Sequence, residues 1–210
     1  MTQGRNLGAF ADNVTSGGKL NVGGINATGT PSSATVLAGD GSWATPSAGA
    51  ISLISTTTAS NSATVDISLS GSYTSFQIIF YNINPASSGN IFIQYTTNAF
   101  SGVTTWENTS LSGYSIGGSI TNTTTGGVIF TNQVTNSTYK GSGIITLPNP
   151  LNSGSAKSYF GLVQGNNGSN GLYTGMIAGI NDTTSAINGI RFVAGSGNLT
   201  SGTFKLYGIT

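Results

Sequence analysis

The sequence predicts an all-β protein: a jelly-roll-like antiparallel β-sandwich preceded by an extended N-terminal arm. Three observations carry this. From Ala50 onward, short segments rich in Ile, Val, Phe, Tyr and Thr are separated by Gly, Asn and Ser clusters, which is the pattern of strands and turns. Several of those segments alternate strictly between apolar and polar residues, the period of a strand with one buried face. No segment sustains an apolar stripe of helical period.

The arm comes first. Residues 1–49 hold scattered apolar positions, Leu7, Phe10, Val14, Leu20, Val22 and Ile25, without either period. Each of the six suits anchoring an extended segment on a partner. Between Asn26 and Ala48, Pro31, Pro46 and several glycines mark turn or linker, yet Val36, Leu37 and Trp43 are more apolar than a free linker needs. Part of this stretch is therefore expected to pack on something. Two readings stand side by side, a disordered tail and an attachment arm that orders within an assembly.

The second region, residues 50–210, reads as the sandwich. Strands are expected at Ile51–Thr57, Ala63–Leu69, Ser75–Ile83, Ile91–Thr97, Tyr114–Gly117, Val128–Thr131, Gly143–Leu147, Ser158–Gln164, Tyr173–Gly179, Gly189–Val193 and Thr203–Ile209. In the second, Ala63, Val65, Ile67 and Leu69 share one face and Thr64, Asp66 and Ser68 the other. In the last, Phe204, Leu206 and Gly208 oppose Lys205 and Tyr207. Short strands at near-regular spacing, with no helices between them, indicate a two-sheet sandwich. Its expected aromatic core is Phe76, Phe80, Phe92, Phe130, Tyr159, Phe160, Phe192 and Phe204.

Composition limits what this surface recognises. Only 5% of the 210 residues are charged and the net charge is +1, against about 25% charged residues in an ordinary domain. Ser, Thr and Asn must supply the polar surface. With no field to steer a polyanion, nucleic acid is excluded as an electrostatic partner. The first eight residues contain no apolar core of a signal peptide, and no run approaches the ~20 apolar residues that cross a bilayer. The chain thus reads as soluble, without membrane insertion. Eight Asn-x-Ser/Thr triplets occur, a number that this composition produces by chance.

Chemistry is scarce. The chain has no histidine and no cysteine, so Ser-His-Asp and Cys-His sites, disulfides and thiolate metal sites are impossible. No cofactor is called for, and no Asp-x-Asp cluster of a calcium loop occurs. The second region holds three carboxylates, Asp66, Glu107 and Asp182. A glycosidase needs two across a cleft, and the sequence positions none: Asp66 falls on a strand's polar face, Glu107 in a loop after Trp106, and Asp182 in an Asx-type turn. Non-enzymatic work is the expectation. Aromatic faces stacked on sugar rings remain as a binding chemistry, with Phe100, Trp106, Tyr114, Tyr139 and Tyr173 as candidates and packing in loops or subunit contacts as the alternative role.

One resemblance adds to this reading. Tyr73-Thr-Ser-Phe-Gln-Ile-Ile-Phe-Tyr-Asn-Ile-Asn-Pro-Ala-Ser-Ser-Gly, then Ile91-Phe-Ile-Gln-Tyr-Thr-Thr-Asn and Trp106, resembles a β-domain of tailed-bacteriophage virion proteins. Ala186-Ile-Asn-Gly-Ile-Arg-Phe and Ser196-Gly-Asn-Leu-Thr-Ser-Gly-Thr-Phe-Lys-Leu-Tyr-Gly-Ile resemble that group's closing pair of strands. The stretch from Asn26 to Ala44 is similar to a linker of phage tail-fibre and related proteins, and Leu7 to Leu20 to their N-terminal stretch. The resemblance implies a structural virion protein, a tail fibre or spike component or a head decoration. It implies docking on other virion proteins through residues 1–49, display of the sandwich to host cell-surface glycan, and a homotrimer. A capsid decoration or cement protein is the alternative role, and a polysaccharide depolymerase a third. The shared motifs are strand and turn patterns, so no catalytic residue carries over.

Overall fold

Alternation of apolar with polar residues becomes pairing wherever two such segments meet, and here they meet across long sequence distances. The computed structural model describes residues 28–30, 32–45, 50–87, 89–105, 107–112, 127–134, 140–166 and 172–210. The chain divides into two compact units, Met1–Gly49 and Ala50–Thr210.

Within the first unit, β1 (Val36–Leu37) pairs antiparallel with β2 (Trp43–Ala44). The Asp40 side chain closes the turn between them. Its Oδ1 accepts from the Ser42 amide at 2.9 Å and the Ser42 hydroxyl at 2.7 Å, an Asx-type arrangement. Val36 and Leu37 are exposed. Leu7, Phe10, Val14, Leu20, Val22 and Ile25 lie outside the described residues.

The second unit contains β3 (Ile51–Ser62), β4 (Thr64–Ser68), β5 (Ser75–Pro85), β6 (Gly89–Thr96), β7 (Thr104–Thr105) and β8 (Glu107–Ser112). It continues with β9 (Gly127–Val134), β10 (Gly141–Pro148), β11 (Lys157–Asn166), β12 (Leu172–Asn181), β13 (Gly189–Ala194) and β14 (Leu199–Ile209). The described residues are all-β, without a helix. One layer runs β3-β14-β5-β10-β11-β12-β8 and the other β9-β6-β13-β4, with β7 beside β6. All neighbours are antiparallel except β11 and β9, which share a single parallel pair, Asn166 with Val134. That pair joins the two layers at one point.

The layers face each other across a hydrocarbon core, as expected for an antiparallel sandwich. Phe192 on β13 lies 4.7 Å from Phe204 on β14 and 5.7 Å from Phe80 on β5, centroid to centroid. These strands belong to opposite layers, so the rings bridge them in tilted geometry. Ile78, Ile83, Ile93, Ile145, Leu147, Ile190 and Leu206 surround the rings, all fully buried. The anticipated alternations appear: Val65, Ile67 and Leu69 are buried, as are Phe204, Leu206 and Gly208.

Alternation breaks once inside β5. Phe76, Ile78 and Phe80 are buried, then Ile83 and Pro85, so the inward parity flips at Asn82. The residue sits in the left-handed region, with φ 58°. Both neighbours register the extra residue, since β10 moves from Gly141 opposite Ile83 to Gly143 opposite Phe80 and β14 pairs Ser201 with Asn84 but Thr203 with Tyr81. Asn82 is a β-bulge, and asparagine tolerates that backbone better than most side chains do.

Three expectations need correction. Phe160 faces outward, 53% exposed, because β11 buries Tyr159 and Val163 instead. Ala63 is exposed just ahead of β4. Glu107 opens strand β8 rather than lying in a loop, and pairs with Ile180. The expected strand at Tyr114–Gly117 lies outside the described residues, and Phe130 lies on β9, paired with Ile91.

Candidate functional site

Of the five aromatic candidates, Trp106, Tyr114 and Tyr139 lie outside the described residues, and Tyr173 lies on β12 opposite Gly165. Phe100 is the one whose surroundings are described. It belongs to the loop joining β6 to β7, which folds back over the outer face of the smaller layer.

Cross-strand register builds the floor beneath that loop. Asp66 on β4, Arg191 on β13 and Gln94 on β6 stand in one outward row, and Gly189 and Thr96 in the next. Arg191 donates from Nε to Asp66 Oδ1 and from Nη2 to Asp66 Oδ2, each at 2.6 Å. This is a two-point ion pair in which the planar fork matches the carboxylate. The hydrogen bond to Asp66 raises the Arg191 pKa beyond its already high ordinary value. With 22% and 32% of the two side chains exposed, the pair is reachable from solvent and worth at most about 1 kcal/mol to stability. The Arg191 guanidinium carbon also lies 5.5 Å from the centroid of the Phe100 ring, in cation–π range.

The loop itself is heavily tied. Thr96 is buried; its hydroxyl accepts from the Asn98 and Phe100 amides at 3.2 Å each and directs its proton to Gly102 O at 2.6 Å or Asn98 Oδ1 at 2.7 Å. The Asn188 side chain clamps the loop from β13's side, accepting from the Ala99 amide at 3.1 Å and donating to Thr97 O at 3.0 Å. These bonds hold two successive non-glycine residues, Ala99 (φ 54°) and Phe100 (φ 66°), in the left-handed region. Each such residue costs on the order of 1 kcal/mol or more, and such strain clusters at ligand clamps. Gly189 makes room for the result: a Cβ there would lie 2.5 Å from Phe100 Cζ.

The outcome is a fixed aromatic edge beside a charge-neutral polar pair. Two guanidinium N–H bonds and one lone pair per carboxylate oxygen serve the pair itself, leaving further donors and acceptors toward solvent. That chemistry suits a neutral, hydroxyl-rich ligand, with ring contact on Phe100 and hydrogen bonds to Arg191 and Asp66. Sequence reasoning singled out Phe100 but missed Arg191. The only sequence signal for the arginine was its place in a strand that alternates outward.

The other carboxylates lie elsewhere. Glu107 pairs with Ile180, two residues before Asp182, so these two acids fall at one end of neighbouring strands, whereas Asp66 belongs to the opposite layer. Asp182 is exposed, and the turn is organised by its neighbour: Asn181 Oδ1 accepts from the Thr183 amide at 2.8 Å and from the Tyr95 hydroxyl at 2.7 Å. Among the described residues no group of three or more acids gathers as a metal site.

A second surface lies on the larger layer's outer face. A groove of about 410 Å³ runs there, lined by Gln77, Ile144, Thr146, Phe160, Leu162 and Met176 among others. Compared with models of known protein families, with curated proteins and with solved structures, the chain has no match.

Proposed function

We propose that the protein is a non-enzymatic structural component of a tailed-bacteriophage virion. In this reading it is a fibre or spike component that docks on other virion proteins through residues 1–49 and displays the sandwich, as a homotrimer, to host-surface glycan. The observation that carries the attachment role is the Phe100 loop, whose strained backbone, buried threonine and asparagine clamp hold an aromatic ring beside the Arg191–Asp66 pair. The virion setting rests on the sequence resemblance given above.

The test uses the purified full chain and surface polysaccharide extracted from the bacteria that the particle adsorbs to. Phe100→Ala is expected to weaken retention about tenfold, the equivalent of one aromatic contact of ~1.4 kcal/mol. Unchanged retention would remove the attachment role, and absence of the chain from antibody-labelled particles would remove the virion setting.

A capsid decoration or cement protein is the second reading. It is favoured by the apolar outer face around Phe160 and Met176, which is more than a freely standing receptor-binding domain needs. Electron microscopy of labelled particles separates tail from head.

A further inference from the structure

Charge on the smaller layer is confined to one point. Strands β4, β6, β7, β9 and β13 and the loop at residues 97–103 contain a single acid, Asp66, and a single base, Arg191, and these two meet in the ion pair beside Phe100. The other polar residues of these segments are Ser, Thr, Asn and Gln. Any charge preference of the Phe100 site therefore depends on how the pair divides its hydrogen bonds.

The guanidinium is half spent. Arg191 commits Nε and one Nη2 proton to Asp66 and makes no other hydrogen bond among the described residues. Of its five N–H groups, two on Nη1 and one on Nη2 are left over. Those on the Nη1–Nη2 edge form a second fork, at an angle to the first, which matches two neighbouring oxygen acceptors. The two bonds to Asp66 and the Phe100 ring, 5.5 Å from the guanidinium carbon, hold its plane in place. Both side chains of the pair are partly exposed, so a ligand reaches the second fork from solvent.

We propose that Asp66 sets the specificity of this site. By cancelling the Arg191 charge it makes the second fork a binder of uncharged glycan, through neighbouring hydroxyl or ring oxygens of one sugar, and turns away chains that carry carboxylate or phosphate. The inference rests on the attachment reading above and adds which class of glycan the site accepts. Two differences decide the selection. A neutral sugar engages the second fork without disturbing the first, and its hydroxyl protons reach the Asp66 lone pairs that Arg191 leaves over. An acidic sugar instead places a second anion on a guanidinium that already holds one. By inverse distance, Asp66 at roughly 6–7 Å cancels over half of the attraction from a guanidinium at about 4 Å. The remainder does not repay stripping water from a charged group.

The test uses the purified full chain and surface polysaccharide from the adsorbing bacteria, divided by anion exchange into an uncharged and an acidic fraction and immobilised separately. The wild type is expected to be retained at least about tenfold more strongly by the uncharged fraction, and equally at low and high salt. Asp66→Asn keeps the shape of the side chain and one acceptor for Arg191 but leaves the cation uncancelled. Its retention by the acidic fraction should rise at least about tenfold at low salt and fall again as salt screens the new charge. Ser153→Lys, in an exposed turn outside the site, adds the same unit of net charge and should leave both retentions at wild-type values. The wild-type partition uses unaltered protein, so it decides the matter even if Asp66→Asn folds poorly. Three results overturn the role of Asp66 and leave attachment standing: a wild-type preference for the acidic fraction, no gain in Asp66→Asn protein that unfolds at the wild-type midpoint, or an equal gain in Ser153→Lys. Retention of the wild type by neither fraction removes attachment itself, and this inference with it.

Discussion

Gly189→Ala isolates the mechanical coupling between the smaller layer and the Phe100 loop. The new methyl would lie 2.5 Å from Phe100 Cζ and 2.7 Å from Thr96 Cγ2. Phe100 Cζ belongs to a half-buried ring held by its clamped loop, and the Thr96 methyl to a buried, β-branched side chain, so neither contact is relieved without cost. Replacing glycine where the backbone is compatible stabilises by about 0.4–1 kcal/mol through the unfolded chain, and overpacking of this kind costs about 1–3 kcal/mol. The net expectation is a loss of about 1–2 kcal/mol, accompanied by displacement of the ring from Arg191. The decisive measurement is a double-mutant cycle with Phe100→Ala, by urea denaturation of the full chain followed by circular dichroism. Removing the ring removes the nearer collision, so Gly189→Ala should cost at least about 0.5 kcal/mol less in the Phe100→Ala background than alone. An equal cost in both backgrounds would refute the claim that Phe100 rests on Gly189, and a neutral single substitution would refute the packing argument altogether.

Two further outcomes are expected. At the bulge, Asn82→Gly should stay within about 0.5 kcal/mol of the wild type while Asn82→Val destabilises by roughly 1–2 kcal/mol, because a β-branched residue is strained at φ 58°; equal unfolding midpoints for the two variants would contradict the left-handed assignment. In the hairpin, the Ser42 hydroxyl, and after it the Ser42 amide, hold the Asp40 pKa below its ordinary value of 3.8. A depressed folded pKa means that the Asp40 contribution is present above the unfolded value and is lost as pH falls through the folded one. Ser42→Ala should therefore raise the Asp40 pKa toward its ordinary value in an NMR titration, and an unchanged titration would remove the hydroxyl as its cause.

The strands were legible because their chemistry is local. Ile, Val and Phe at alternate positions between glycine-rich breaks place β5, β10 and β14 within a few residues of where they lie. Alternation also groups residues onto faces, but it does not say which face looks inward when both are apolar. That is why Phe160 read as core: Phe160 and Leu162 form as apolar a set as Tyr159 and Val163, and only the pairing of β11 with β10 and β12 decides between them. Strand β8 was missed because Glu107-Asn-Thr-Ser-Leu-Ser has the composition of a loop and becomes a strand by lying against β12. Of the site, Phe100 could be named as an aromatic outside the predicted strands. Its neighbours could not, since Arg191 and Asp66 are 125 positions apart and meet only through the register of β13 with β4.

Strand β14 lies between β3 and β5, pairing with both along nearly its whole length. During synthesis, β3 and β5 therefore leave the ribosome long before the segment that joins them, and each must wait with an open edge for residues 199–209. A nascent chain in that state exposes the apolar side chains of β5 and an unpaired row of amides, the circumstances in which strands join wrong neighbours. Its folding is expected to be slow and to start late, as for other topologies ruled by distant contacts. Insertions near residue 199 would bear on whether the chain folds at all, whereas insertions in the exposed turn at residues 152–156 would leave that closure intact.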